Sequence, residues 1–363
     1  MVTNTKIKFS FRHKKSLLII SLLLVILLTS LFVYKLTINI TGKVPSKDIA
    51  YDEKGSLDGA VYVGSEMELR TTINNAPSYT PVIITLGRDV LLTGSALEIP
   101  KDKDIMLASD RVDGFWKLIG ADNTDTILVN GKLTLADVVV THEAGVSGRG
   151  VFVNFGGTLT MSGGAVCNNI GGGICNCGSF TMYGGVISNN TVGGGVFNNG
   201  YDFTMYGGEI SCNKAENCGG GVDNYNGKVR LYNGTICGNT AKVGGGVDIY
   251  YGSFYMSGGV ISGNVAEDKG GGVYNYYTFS HFVLSGGEIS NNTANIGGGV
   301  CSDDDFTMSG GVISGNIAGY GGGVYVGNGV FNVTGGNVSG NTSHFGDEVW
   351  STHSGHASEI PIT

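Results

Sequence analysis

The chain has 363 residues, of which 63 are glycine, only 5 are proline and 14% are charged. So much glycine without a Gly-X-Y triplet excludes collagen, and the many Val, Ile, Phe and Tyr residues exclude a disordered linker. Residues 1–47 hold eight of the 22 basic residues and no acid, which leaves 14 basic against 30 acidic residues, a net charge of −16, in the remainder. Because phosphate binding requires clustered Lys and Arg, we expect no nucleic-acid partner.

The first 55 residues are predicted to set membrane topology. Residues 1–15 form a basic flank, and residues 16–35 contain an apolar run, Leu17–Tyr34, that is long enough to cross a bilayer as a helix. No A-x-A-like site follows closely, so we predict an uncleaved signal anchor, with a cleaved signal peptide as the alternative. In either case the basic flank stays inside and the later residues are exported. The prediction is a single-pass cell-membrane protein, or a secreted one if the segment is cleaved, with residues 36–55 as a linker.

A repeat of 22 to 27 residues organises the rest of the chain. A glycine triplet followed by Val or Ile recurs with a phrase such as FTMSGGVISGN (residues 306–316); the triplets begin at Gly171, Gly193, Gly219, Gly244, Gly270, Gly297 and Gly321. Each unit is predicted to form three short strands, GGGV, F-T-M and V-I-S-x-N. Ordering such a unit costs about 1–2 kcal/mol per residue for the backbone alone, more than its own apolar burial returns, so units must stack. We predict an all-β fold, a right-handed parallel β-helix (solenoid) of about 10–11 coils, with regular repeats over residues 131–349 and a flexible tail at 350–363.

Stacking converts single residues into ladders. Apolar ladders are predicted for two strands, Val166, Ile187, Ile210, Ile236, Ile261, Ile289, Ile313 and Val338 in one, and Val151, Ile174, Val196, Val222, Val247, Val273, Val300 and Val324 in the other. A Phe ladder is predicted to join Phe180, Phe203, Phe254, Phe282, Phe306 and Phe331. One Asn per unit is interpreted as a corner post, because Asn tolerates left-handed turns and stacks along a β axis; the set is Asn169, Asn190, Asn213, Asn239, Asn264, Asn292, Asn316 and Asn341.

The segment of residues 56–130 is predicted to close the first end of the stack. Residues 65–75 begin with Ser and Glu and carry apolar Met67, Leu69 and Ile73, which favours a short amphipathic capping helix. Irregular first coils follow.

These repeats resemble the pectin-lyase-like β-helix domains of bacterial surface proteins. The resemblance rests on the GGG[VI]…FTMSGG.ISGN units over residues 130–345 and the LRTTINNAP…VIITLGRDV…LTGSALEIP stretch before them; the units are also similar to the GGA[ILV] repeats of chlamydial polymorphic outer-membrane proteins. It implies the fold, surface exposure and adhesin-type binding. The chain differs from those adhesins in lacking a wall-sorting signal or a C-terminal barrel.

The catalytic alternative is a polysaccharide lyase or glycoside hydrolase of the same fold. Asp223 and Asp248 align one coil apart, near the spacing of cooperating carboxylates, with Arg230 as a possible third residue. However, Phe197 and Tyr274 replace acids in the flanking coils, and no GHG or RIK motif is present. Asp303, Asp304 and Asp305 are a weaker alternative as a Ca²⁺ site, because a solvated acidic loop explains them better. No metal and no cofactor are predicted.

Tyrosines are the preferred candidates for ligand binding. Two sets align on successive coils and are expected to face outward, Tyr225, Tyr250 and Tyr276 with Tyr251 and Tyr277 beside them, and Tyr183, Tyr206 and Tyr232 on the F-T-M strand. Exposed Tyr rings can stack on sugars and hydrogen-bond their hydroxyls, although stacked Tyr can also simply stabilise a β surface. We therefore expect a non-enzymatic surface protein with an adhesive or structural display role, whose partner is a carbohydrate or a protein surface.

The seven cysteines, an odd number, indicate at least one free thiol. Cys212 and Cys218 flank one corner, where a disulfide is possible. The others resemble small-residue substitutions within the repeat.

Overall fold

The computed structural model describes residues 59–110, 115–277 and 279–352, and the backbone of residues 358–359. The chain divides into two compact units, Met1–Ile49 and Ala50–Thr363, and every described residue belongs to the second. The predicted basic flank and signal anchor, residues 1–35, lie outside the described residues. Within the described part, the search for a helix with the length and hydropathy of a membrane span finds none.

The second unit is a parallel β-solenoid of eleven coils. Its most regular side, the triplet sheet, has twelve strands, eleven parallel and a final antiparallel one. They are Leu97–Ile99, Ile127–Val129, Val151–Val153, Ile174–Asn176, Val196–Asn199, Val222–Tyr225, Val247–Tyr250, Val273–Tyr276, Val300–Ser302, Val324–Val326, Val349–Ser351 and Ser358–Glu359. The predicted all-β solenoid and its coil number are confirmed.

The F-T-M and V-I-S strands form a second sheet of 19 strands. Its F-T-M side comprises Val61–Val63, Pro81–Leu86, Asp104–Ser109, Lys132–Ala136, Thr158–Met161, Ser179–Met182, Asp202–Met205 and Lys228–Leu231, and its V-I-S side comprises Val90–Leu91, Lys117–Gly120, Val139–His142, Ala165–Cys167, Val186–Ser188, Glu209–Ser211 and Thr235–Cys237. In the last four coils the two strands merge into Ser253–Ser262, His281–Ser290, Phe306–Ser314 and Phe331–Ser339. The merged pairs keep register through small shifts at the Ser-Gly-Gly turn.

Short fourth strands follow the Asn corner in several coils, so the prediction of three strands per coil is incomplete. They are Thr191–Val192, Lys214–Ala215, Thr240–Val243, Val265–Lys269, Ile317–Tyr320 and Thr342–Phe345. They form because the stacked corners hold the next residues of adjacent coils at strand spacing.

One helix, α1 (Glu66–Asn75), precedes the first full coil. Ser65 is its N-cap, and its hydroxyl accepts a hydrogen bond from the Glu68 backbone N–H. Leu69 and Ile73, one helical turn apart, are buried against the stack, which confirms the capping helix. Met67 is 76% exposed, because it lies on the opposite side of α1, so its assignment to the apolar face is wrong.

The predicted ladders are confirmed by the strand register. Ile187 pairs with Ile210 and Ile236 follows, and the Val and Phe positions pair coil by coil in the same way. Phe180 and Phe203 stack with ring centroids 4.6 Å apart and near-parallel planes. Apart from Phe331, which is partly buried and packs against them, these side chains are buried and form one continuous core cluster with the helix residues Leu69 and Ile73.

The Asn ladder is a hydrogen-bonded column inside the stack. At Asn239 the side-chain Nδ2 donates to Asn264 Oδ1 and to Ile210 O, and the backbone N–H donates to the same Oδ1, all within 3.0 Å. Asn169 Oδ1 lies 2.7 Å from His142 Nδ1 at the first end, and Asn341 Nδ2 donates to Glu348 at the other. The column thus satisfies buried backbone carbonyls, as the corner-post interpretation requires.

Ser358–Glu359 lies in the segment predicted to be a flexible tail. It pairs antiparallel with Trp350–Ser351, at the far end of the triplet sheet. Antiparallel pairing ends the stack there, because a further coil would have to continue parallel.

Candidate functional site

One outward-facing residue in each strand of the triplet sheet belongs to a column of chemically different side chains. In each strand Val and the residue two places later point inward, and the residue between them points outward. Register places these outward residues on one another from coil to coil: Phe152, Cys175, Phe197, Asp223, Asp248, Tyr274, Cys301, Tyr325 and Trp350. We call this set the outer column.

The glycine triplet folds back over the outer column. At Gly244, where φ is +60°, a Cβ atom would lie 2.7 Å from Asp248 Cβ, so only glycine fits the approach. As a consequence Asp248, Tyr274 and Cys301 are at most 5% exposed, although they point away from the core.

Asp223 and Asp248 are neighbours in this column, as predicted. Asp248 is 3% exposed, and its Oδ1 has no hydrogen-bond partner. Burial raises the pKa of Asp223 to about 6. Burial, and then repulsion by Asp223, raises the pKa of Asp248 well above its usual 3.8. Both carboxyls therefore keep their protons to higher pH than an ordinary Asp does, and neither forms an ion pair with a described residue.

A cleft of about 250 Å³ opens beside Asp223. Its walls include Arg149, Cys175, Phe197 and Cys218, with glycine backbone from the triplets. Arg149 Nε donates to Asp125 Oδ1 at 2.7 Å, so its charge is already paired. Burial above all raises the pKa of both thiols to about 12, which keeps them neutral.

Five tyrosines spread over three coils beside the outer column; we call them the tyrosine surface. Tyr225 and Tyr250 stack at 5.2 Å, and Tyr250 and Tyr276 lie 5.9 Å apart. Tyr251 and Tyr277, at 4.3 Å, contact the side of this row. Four of the rings are between 38% and 44% exposed, and Tyr250 is half-buried among them. The predicted alignment and exposure are thus present.

A second row, the tyrosine column, lies at the end of the F-T-M strands. Tyr183, Tyr206 and Tyr232 stack at 5.2 and 5.0 Å with interplanar angles of 8° and 6°. All three are exposed. Because their planes are parallel and close, these rings cover one another and present mainly their edges.

Arg230 is not brought to the aspartate pair. It lies on the outward side of an F-T-M strand, where its Nη1 donates to Asp202 Oδ2 at 3.0 Å. The cation that the structure places at the cleft is Arg149, which the sequence did not single out. It precedes the Val151 strand in a degenerate copy of the triplet, and that position is the only sequence signal for it.

Two of the three aspartates at 303–305 have side-chain partners, and these partners are different. Asp303 Oδ2 accepts hydrogen bonds from Tyr274 Oη at 2.8 Å and Lys269 Nζ at 3.0 Å, and Asp305 Oδ1 accepts from the Val330 backbone. Over the described residues, no group of three or more His, Cys, Asp or Glu is arranged to hold a metal ion. The Ca²⁺ alternative is therefore not supported there.

All seven cysteines are free, so the possible Cys212–Cys218 disulfide is not formed. The structure also adds a second inner ladder that the sequence analysis missed. Asn176, Asn198 and Asn224 are fully buried, and each of the first two donates from Nδ2 to the next Oδ1. The signal was the Asn two residues after the triplet Val in several units.

The chain matches no protein-family model, and no curated protein or solved structure matches it significantly.

Proposed function

We propose that this protein is a membrane-anchored, cell-surface β-solenoid that binds a carbohydrate or protein ligand through its tyrosine surface. The observation that carries the proposal is the set of five mutually contacting tyrosine rings across three coils, four of them exposed. Tyr offers a large apolar face and a hydroxyl at low entropic cost, which suits sugar rings and protein hot spots. The rigid stack beneath holds the rings in place before the ligand arrives, which reduces the ordering cost of binding.

The location belongs to the same proposal. The basic flank and the apolar run of residues 16–35 support a signal anchor with the solenoid outside the membrane. The repeat pattern supports a pectin-lyase-like, adhesin-type protein, as the resemblance implies, and the fold alone does not fix the function.

The test is simultaneous replacement of Tyr225, Tyr250 and Tyr276 by Ser in the full-length chain. Binding to cells and to a glycan array should be lost, because the stacking faces and hydroxyl tips are removed. The matched control is the triple Ser variant of the tyrosine column, at Tyr183, Tyr206 and Tyr232, which should keep binding. Unchanged binding by the first variant, with an intact β circular-dichroism spectrum, would show that this surface has only a structural role.

A second candidate function is polysaccharide cleavage, which one observation favours. Asp223 lines a cleft, and burial raises its pKa to about 6, toward the range that a general acid requires. However, Asp248 does not line that cleft, and Arg230 is paired elsewhere. Release of reducing ends or unsaturated products from plant and host polysaccharides, lost in Asp223→Asn, would establish this activity in place of pure binding.

A further inference from the structure

The aspartate pair has no counter-charge, in contrast to three other acids of the solenoid. Asp125 is paired with Arg149, Asp202 with Arg230, and Asp303 with Lys269. Asp223 and Asp248 have no such cation among the described residues. Asp223 and Asp248 lie on adjacent parallel strands, whose backbones are only about 5 Å apart. The absence of a positive counter-charge is therefore more costly in free energy.

The unpartnered Oδ1 of Asp248 lies one coil beyond Asp223, behind the lining of the cleft. A buried carboxyl oxygen without a partner costs free energy that a ligand can recover. With Asp248 at 3% exposure, Oδ1 is closed to bulk solvent on its own coil, and Asp223 is the member of the pair that reaches the cleft. A cation entering the cleft would therefore meet Asp223 first, with Asp248 behind it.

The cleft itself carries an uncompensated negative charge. Cys175 and Cys218 are neutral thiols, and Arg149 is paired with Asp125. Phe197 contributes an aromatic ring to the wall, which can pack against a cation. The volume of about 250 Å³ is below the range of about 300–1,000 Å³ typical of drug-sized ligands, so the occupant is small.

We propose that the cleft beside Asp223 binds the primary ammonium group of a small ligand, of the size of one amino sugar or one amino acid. The ammonium is placed against the Asp223 carboxylate, with Asp248 behind it in the next coil and Phe197 covering its apolar side. A metal ion fits less well, since the described residues supply no third His, Cys, Asp or Glu ligand. The cleft adjoins the tyrosine surface, because the Phe197 and Tyr225 ring centroids are 6.4 Å apart. The inference does not depend on what that surface binds.

The experiment is isothermal titration of the full-length chain, purified in mild detergent, with three amines and two comparison solutes. The amines are D-glucosamine, putrescine and Nα-acetyl-lysine, which separate a sugar amine, a free polyamine and a lysine side chain. D-glucose and CaCl₂ test a neutral sugar and a metal ion. We expect at least one amine to bind saturably with a Kd of about 1 mM or tighter, and glucose to show no saturable binding.

The variant Asp223→Asn should weaken amine binding at least about tenfold, because it removes the charge and keeps the shape. The control Asp202→Asn, at a partly exposed acid paired with Arg230, should bind as the wild type does. A thermal melt of Asp223→Asn checks folding, and its midpoint should rise, since a buried unpaired charge is removed.

Three results would overturn the inference. The first is absence of saturable binding by all three amines up to about 10 mM. The second is unchanged amine binding in Asp223→Asn. The third is binding of Ca²⁺ without any amine, which would assign the cleft to a metal ion. None of these results bears on the tyrosine surface, whose test uses different residues and ligands.

Discussion

Asparagine side chains form two buried, hydrogen-bonded ladders inside this solenoid. Each inner member of the corner ladder, such as Asn239, donates from Nδ2 to the next Asn and to a backbone carbonyl, while its own Oδ1 receives two N–H groups from the previous coil. The second ladder, at Asn176, Asn198 and Asn224, lies on the triplet strands and makes the same Nδ2-to-Oδ1 contact from coil to coil. Buried amides of this kind stabilise a turn only when every donor and acceptor is satisfied.

Replacing Asn239 by Ala should therefore be among the most damaging single changes in the chain. It leaves the Asn213 donors and the Ile210 carbonyl without partners in a buried corner. At about 1–3 kcal/mol for each unsatisfied group, we expect a loss of several kcal/mol in the free energy of unfolding, measured by urea denaturation. Asn332→Ala, at an exposed site in the last coil, is the control and should change stability by less than about 0.5 kcal/mol. Equal effects would refute the role of the ladder.

The aspartate pair makes stability depend on pH. The pKa of Asp223 is about 6 in the folded protein, above its usual 3.8, because burial penalises the carboxylate. A raised folded-state pKa means that the folded state binds the proton more tightly than the unfolded chain does. The contribution of Asp223 to the free energy of unfolding is therefore fully present below about pH 4 and is lost as the pH rises through about 6.

We predict that Asp223→Asn removes the part of this dependence that Asp223 contributes. The separation of the two pKa values corresponds to an upper value of about 3 kcal/mol. The variant should match the wild type near pH 4 and be more stable by up to that amount near pH 8, in denaturant titrations at both pH values. A variant that is less stable than the wild type near pH 8 would contradict the prediction.

At the scale of the element, the glycine triplet decides how a coil turns. In five of the seven triplets the first glycine adopts positive φ, as at Gly244, which passes over the outer column; in the triplets that begin at Gly171 and Gly193 the second glycine does so. The third glycine of the triplet has ordinary φ, but its surroundings leave no space for a Cβ atom. At Gly221 a Cβ would lie 2.6 Å from Gly246 O and 2.7 Å from Ile236 Cγ2. Glycine therefore recurs in the triplet for two separate reasons. One of the first two positions requires a positive φ, and the third position requires close packing.

Gly221→Ala should consequently destabilise the protein, although the backbone there suits any residue. The new methyl has to displace a backbone carbonyl, which we expect to cost about 1–3 kcal/mol or more, as overpacking does. The matched control is Gly87→Ala, where φ is also ordinary and the nearest atom to a Cβ is 3.8 Å away. Thermal melting should show a clear loss for the first variant and none for the second. Similar melting temperatures would mean that the corner yields without strain.

The solenoid unit as a whole has unlike ends. At the first end Leu69 and Ile73 of α1 are almost fully buried against the core. In the last coil the inward-facing Val333 is 41% exposed, whereas Met308, its partner one coil earlier, is 0% exposed. In a stack with nearest-neighbour coupling, the stability of each end depends on its own cap.

We predict that Leu69→Ala loosens the first coils selectively. Truncation of a buried Leu costs about 2–5 kcal/mol, and this loss should appear as faster amide hydrogen exchange in Val61–Val63 and Pro81–Leu86. The central coils should keep their protection. Met67→Ala, on the exposed side of the same helix, should leave exchange unchanged. Uniformly faster exchange in all coils would show that the stack unfolds as one unit.

Much of this architecture can be predicted from the amino-acid sequence alone. The recurring triplet sets the length of a coil, and strand alternation assigns Ile210 and Phe203 to the interior. Register follows, because a slip by one residue would expose every apolar ladder at once. That is why the Asn, Val, Phe and Tyr alignments all agree with the structure.

Strand alternation predicts only that a residue points outward. Whether another part of the chain covers that residue depends on the tertiary structure. Asp248 and Tyr225 both lie on triplet strands, yet Asp248 is 3% exposed and Tyr225 is 44% exposed. The difference arises because the glycine corner folds back over one outward position and leaves the strand end open. The same packing over many residues brings Arg149 to the cleft and sends Arg230 to Asp202. The sequence by itself determined the coil and its ladders, whereas only the folded stack decided which outward side chains became a surface and which became a buried, unpaired charge.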